Sequence, residues 1–157
     1  MSKTRKNLSF VAALLVMLML VWPMAASAAQ GNTYYEFYFN EKGEDKPCSE
    51  FATKNDNEQN WYLSIYRTNP KTGVSSTMSS TNVFLARMNK YGDNVSGTNH
   101  NFVSAEHTIS NYPASGTSFR FPYVYLVDTE MTLFLGGRKT EGSTSTTPLI
   151  VCGKYCP

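Results

Sequence analysis

From Tyr34 onward, apolar residues recur at nearly every second position, which is the period of strands. Tyr34 to Phe39 reads YYEFYF, with Tyr35, Phe37 and Phe39 on one face and Tyr34, Glu36 and Tyr38 on the other. Trp61 to Arg67 reads WYLSIYR and alternates Trp61, Leu63 and Ile65 against Tyr62, Ser64 and Tyr66. Val83 to Met88, Asn101 to Ile109, Phe119 to Val127, Met131 to Leu135 and Leu149 to Tyr155 supply further strand candidates. None of these stretches sustains a helical period. The polar run from Asn40 to Asn60 contains Gly43 and Pro47 and reads as loop.

The gaps carry turn chemistry. Asn69-Pro70-Lys71-Thr72-Gly73 places Pro and Gly for a tight turn. Tyr91 to Gly97, Asn111-Tyr112-Pro113 with Ser115-Gly116, and Thr140 to Thr147 read as loops. Asp128-Thr129-Glu130 is a short link, so the apolar runs on either side are expected to form a hairpin, with Gly136-Gly137 ending the second. Pro122 cannot donate to a ladder and marks an edge strand or a bulge. About seven short strands separated by turn-rich loops predict an all-β, antiparallel β-sandwich, with a small barrel as the alternative.

The start of the chain follows another pattern. Lys3, Arg5 and Lys6 precede an unbroken apolar run, Val11 to Trp22. As a helix those 12 residues reach about 18 Å, short of the roughly 20 residues that a bilayer core needs. Pro23 follows, and Ala26-Ser27-Ala28, or Ser27-Ala28-Ala29 one register on, forms a cleavage site. Residues 1–29 therefore read as a signal peptide cut at Ala28 or Ala29, and residues 30–157 as one secreted, extracellular β domain without a permanent membrane anchor.

Removing the signal changes the charge. Of 14 basic residues three leave with it, so 11 remain against 12 acidic ones, a net of −1. The sequence pI near 8.4 is largely a property of the signal. A near-neutral, unclustered charge pattern argues against nucleic acid as a partner.

Export places Cys48, Cys152 and Cys156 where disulfides persist. Three is odd, so at most one internal bond forms. On one extended strand, Cys152 and Cys156 would have Cα atoms about 13 Å apart, beyond bonding reach. A bond from Cys48 to one of that pair is expected, contributing about 4 to 5 kcal/mol through loop closure. The spare thiol is then either buried or available for a disulfide-linked dimer.

Catalytic and metal motifs are thin. His100 and His107 would point to opposite faces of one strand, and no G-x-S-x-G accompanies them. Glu36, Glu106, Asp128 and Glu130 offer acids for glycoside hydrolysis, but nothing in their spacing singles out a pair. Asn55-Asp56-Asn57-Glu58 and Asp93-Asn94 are oxygen-rich loops without the D-x-D-x-D-G spacing of a calcium site. No cofactor or metal is implied.

Tyrosine is the unusual feature. Tyr34 with Tyr38, Tyr62 with Tyr66, and Tyr123 with Tyr125 each share a strand face by alternation. Tyr combines a flat apolar body with a polar tip, so a displayed set suits sugar rings or a protein surface. The same residues also suit a half-buried strand with their hydroxyls in water.

The order of elements carries a resemblance. An aromatic opening strand, a central W-x-L-x-I strand, VFLARMNKYGDNVSG, a later expected apolar hairpin ending in LGG and a closing VCGKY follow one another. This layout resembles a group of small secreted proteins of Bacillus-type Gram-positive bacteria, defined only as a domain of unknown function. The resemblance implies an extracellular β-rich protein without established enzyme activity, and the cysteines are not part of it. The expected function is a non-enzymatic binding module for cell-wall glycan or another extracellular surface. A bacteriocin-like or small toxin effector and a small hydrolase are the alternatives.

Overall fold

The computed structural model describes residues 32–91 and 102–157. The signal segment with Ala28 and Ala29, and likewise Asp93, Asn94 and His100, lie outside the described residues. Nine strands follow in order: β1 (Thr33–Phe39), β2 (Asp45–Pro47), β3 (Ala52–Thr53), β4 (Asn60–Tyr66), β5 (Phe84–Lys90), β6 (His107–Ile109), β7 (Phe119–Pro122), β8 (Thr132–Lys139) and β9 (Leu149–Cys156). No helix occurs among the described residues.

The strands form two open antiparallel sheets, one ordered β1-β9-β4-β7 and the other β2-β8-β5-β6 with β3 also on β8. This is a β-sandwich, and neither sheet closes into a barrel. The alternation read from the sequence sets which faces meet. Tyr35, Phe37 and Phe39 of β1 and Trp61, Leu63 and Ile65 of β4 are buried. They meet Phe84, Ala86 and Met88 of β5 and Leu133 and Leu135 of β8 in one core. The rings of Phe37 and Phe84 cross between the sheets at 5.8 Å, close enough for a favourable tilted contact.

Several expectations are corrected. The Asn40–Asn60 stretch contains the short strands β2 and β3 rather than loop alone. The runs on either side of Asp128–Glu130 do not form a hairpin, because β7 and β8 belong to different sheets. The chain crosses over between them, and the Gln59 side chain holds the crossing. Its Nε2 donates to the Val127 carbonyl at 3.0 Å, and its Oε1 accepts from the Val127 N–H at 3.0 Å.

Gly136 and Gly137 do not end β8 but lie inside it, and each leaves room on one face. A Cβ at Gly137 would strike the rings of Phe84 and Phe37 in the core. One at Gly136 would strike Asn89 and Arg87 on the outer face. Pro122 ends β7, which is an edge strand as expected.

Candidate functional site

Sheet register sets the rows on the outer face of the four-stranded sheet. Tyr34 lies opposite Lys154, which lies opposite Ser64. Glu36 lies opposite Cys152, and Cys152 opposite Tyr66. Cys156 lies opposite Tyr62, and Tyr62 opposite Arg120. Tyr34, Tyr38, Tyr62 and Tyr66 thus share this face. Their period-two neighbours fill the core, which leaves these four no other side to occupy.

The four tyrosines are held differently. The Tyr34 ring has Lys71 Nζ at 3.9 Å and Lys154 Nζ at 4.6 Å from its centroid. Tyr62 donates its hydroxyl to Glu58 Oε1 at 2.6 Å, and Arg120 donates to the same oxygen at 2.9 Å. That hydrogen bond raises the Tyr62 phenol above its ordinary value, and desolvation adds to it. Tyr38 is exposed. Tyr66 is half-buried, and one side of it opens onto a groove.

The groove runs along β4 and has a volume of about 840 Å³. One wall is Ser64 to Thr68 with Pro70, and the other is the segment from Tyr112 to Ser118. Each wall is fixed by local chemistry. On the β4 side, Asn69 Oδ1 accepts from the Lys71 N–H at 2.9 Å, and Gly73 takes a left-handed φ of 73°. This is the turn expected from N-P-K-T-G. Asn69 and Thr72 both donate to Glu36 Oε2, at 2.8 and 2.7 Å, which fastens the turn to the sheet. Desolvation pushes the Glu36 carboxyl up, but the hydrogen bonds from Thr72, Asn69 and Tyr38 outweigh it and its pKa is lowered.

On the far side, Gly116 takes a φ of 77° and Thr117 closes a turn onto the Ala114 carbonyl. Ser118 Oγ lies 2.7 Å from Ser64 Oγ and pins that wall to β4. Tyr112 donates its hydroxyl to the Ser76 carbonyl at 3.1 Å, and its burial raises the phenol pKa. The Arg67 guanidinium lies over the Tyr112 ring at 4.5 Å. The groove thus presents aromatic faces, hydroxyl groups and one guanidinium.

Tyr123 and Tyr125 do not join this face, nor do they share one with each other. The strand stops at Pro122, so alternation no longer applies beyond it. Tyr123 is buried under Lys54 Nζ, 5.3 Å from the ring centroid, and burial drives its phenol strongly up. Tyr125 is 68% exposed on the crossover.

The cysteines are corrected as well. Cys48, Cys152 and Cys156 are free and buried. Cys48 belongs to the core, whereas Cys152 lies opposite Glu36 and therefore faces away from it. The expected bond from Cys48 to one of the C-terminal pair does not form: Cys156, opposite Tyr62, lies on the same outer face as Cys152, so either bond would have to pass through the sheet. Cys152 Sγ sits 3.2 Å from Ser76 Oγ, and its buried thiol is raised by desolvation. Burial raises Cys48 too and pushes Cys156 up to about 11.

The sequence-proposed acids are dispersed. Glu106 pairs with Arg87 and Arg138, at 2.6 and 3.0 Å. Asp56 accepts from Lys54 at 2.8 Å and from the Glu58 N–H at 2.9 Å. Asp128 and Glu130 lie on the crossover. His107 stacks on Phe121 at 3.9 Å. No group of three or more metal-ligating side chains occurs among the described residues.

Alternation placed Tyr66 on one face with Tyr62, and the structure makes that face the outer one; alternation did not point to Tyr112 or Arg67 as site residues. Both stand in short polar stretches whose meeting depends on loop geometry. The N-Y-P and S-G turn pairs were the available signal. No protein-family model, no curated protein and no solved structure matches this chain.

Proposed function

We propose that this chain is an exported, extracellular binding module that holds a polysaccharide chain along the β4 groove. The carrying observation is the groove itself, an open channel of about 840 Å³ lined by Tyr66, Tyr112, hydroxyl side chains and Arg67. Aromatic faces supply apolar area for a sugar ring, and hydroxyls exchange hydrogen bonds with its polar rim. Both walls are tied to the sheet by side-chain hydrogen bonds, so little ordering cost remains when a ligand enters. These groups suit retention of a ligand better than acid–base attack, which needs paired titratable groups within reach of one bond.

A depletion assay tests the reading. Purified protein is mixed with isolated cell wall and with insoluble polysaccharides, and the unbound fraction is measured. Wild-type protein is expected in the pellet with at least one polymer. Tyr66→Ala is expected to weaken binding at least tenfold while leaving the circular dichroism spectrum unchanged. Tyr125→Ala, away from the groove, should bind like wild type. Protein that stays in the supernatant with every polymer, or a Tyr66→Ala variant that binds normally, would sink the proposal.

A further inference from the structure

Resting on the polysaccharide reading, the geometry points to a narrower ligand: we infer that the groove selects a sugar bearing a carboxylate, and that Arg67 is the residue that reads it. The argument begins with where the arginines spend their charge. Four arginines lie among the described residues. Arg87 is paired with Asp45 and Glu106, Arg120 with Glu58, and Arg138 with Glu106 and Asp45. Arg67 has no carboxylate partner among the described residues. Its guanidinium instead lies on the face of Tyr112. That stacking leaves the edge of the fork, with its N–H donors, free to meet an oxyanion.

The surroundings favour one negative charge in a defined place. Arg67 is the only charged side chain among the described residues that line the groove, and no acid there competes for it. Tyr112 is itself anchored through its hydroxyl to the Ser76 carbonyl. The guanidinium therefore rests on a fixed platform rather than on a free side chain.

A planar fork matches the two oxygens of a carboxylate in bidentate fashion. A phosphomonoester carries about −1.5 to −2 charges at neutral pH and would call for more than one cation. Tyr66 and the Ser64–Ser118 pair remain for the sugar ring and its hydroxyls. The class that fits is a uronic-acid-containing polysaccharide.

The test uses oligogalacturonate and alginate oligomers, their methyl esters, and inorganic polyphosphate, with affinities from calorimetry. The esters keep the ring and remove the charge, while polyphosphate keeps charge and removes the ring. Wild type is expected to bind an acid form at least tenfold more tightly than its ester, and polyphosphate more weakly than either sugar. Arg67→Gln should lower acid affinity to that of the ester and leave the ester unchanged. Arg67→Lys should recover part of the loss, because the charge returns without the fork.

Equal affinity for acid and ester, unaltered by Arg67→Gln, would overturn the carboxylate inference and leave the polysaccharide reading standing. Polyphosphate binding as tight as the acid sugar would overturn it as well, since charge alone would then suffice. No binding to any sugar would overturn both. Unchanged melting temperatures for both Arg67 variants confirm that the comparison is between folded proteins.

Discussion

On β1 and β4 of the four-stranded sheet, the side chains facing away from the core (Tyr34, Glu36, Tyr38, Tyr62, Ser64 and Tyr66) are half-buried or exposed. On the five-stranded sheet the corresponding positions carry Leu85, Arg87, Asn89 and Phe134, and all four are buried. The Arg87 guanidinium lies between Asp45 of β2 at 3.0 Å and Glu106 at 2.6 Å, with the Phe102 ring 4.2 Å away. Arg138 meets Glu106 at 3.0 Å. Charge on that face is spent within the fold. On the other face, Ser64 to Thr68 with Pro70 form one wall of an open channel and residues 112–118 form the other. Pointing outward is a property of strand alternation. Being available to a ligand depends on what the rest of the chain lays over the face.

Two glycines test this contrast most severely. Gly153 on β9 leaves space for the Tyr35 hydroxyl to donate to the Ser64 carbonyl at 3.0 Å. A Cβ there would fall 1.9 Å from that carbonyl oxygen, which is backbone. Gly136 on β8 leaves space for Arg87 and Asn89, and a Cβ there would meet the Asn89 amide nitrogen at 2.5 Å. Backbone yields less readily than the end of a side chain. Gly153→Ala is expected to cost about 4 kcal/mol, roughly 3 from overpacking and about 1 from the lost hydrogen bond. Gly136→Ala should cost about 1 kcal/mol. Urea unfolding of both variants decides it, and a larger loss at Gly136 would show that the buried Arg87 network is the more rigid element.

Arg87→Ala comes next, at about 3 kcal/mol, because it strips two acids of a buried partner. The matched change on the open face, Arg67→Gln, removes no ion pair within the described protein and should leave stability within about 0.5 kcal/mol. Thermal melts of the two variants measure the difference between a spent and an available guanidinium directly. Similar losses for both would erase the distinction drawn between the faces.

The sheet faces were legible in the sequence because alternation is a local property. YYEFYF and WYLSIYR divided β1 and β4 into the two faces that the structure shows, with Tyr34, Tyr38, Tyr62 and Tyr66 on the sides opposite Tyr35, Phe37, Phe39, Trp61, Leu63 and Ile65; which side is core became legible only from the packing. What failed depends on distant partners. Gly136-Gly137 looks like a strand end until Arg87 and Phe84 are seen to need the space. Asp128–Glu130 looks like a hairpin link until Gln59 is seen to hold the crossover. Cys48 looks like a partner for Cys152 or Cys156 until register puts it on the opposite side of the sheet from both. The groove lies in this second class: Tyr112 and Arg67 are 45 residues apart and meet only through the folding of two turns.

A smaller effect than the loss of Arg87 is expected where the two sheets meet. His107 of β6, in the five-stranded sheet, stacks on Phe121 of β7, in the four-stranded sheet, with 16° between the rings. Its Nε2 is buried without a hydrogen-bond partner. Desolvation holds the imidazole below its ordinary value, so the neutral form is the one the fold accepts. The unfolded chain, with an ordinary pKa of about 6.5, takes up the proton more readily. The stabilising contribution is therefore complete above about pH 6.5 and is lost as pH falls through the lowered folded value. Wild-type protein should lose a few degrees more in Tm between pH 7 and pH 5 than His107→Phe, which keeps the stacking and cannot be protonated. Groups common to both proteins cancel in that difference. Equal pH sensitivity would mean that the seam accepts a charged imidazole and is open to water, which would place it with the outer face of the four-stranded sheet rather than with the core.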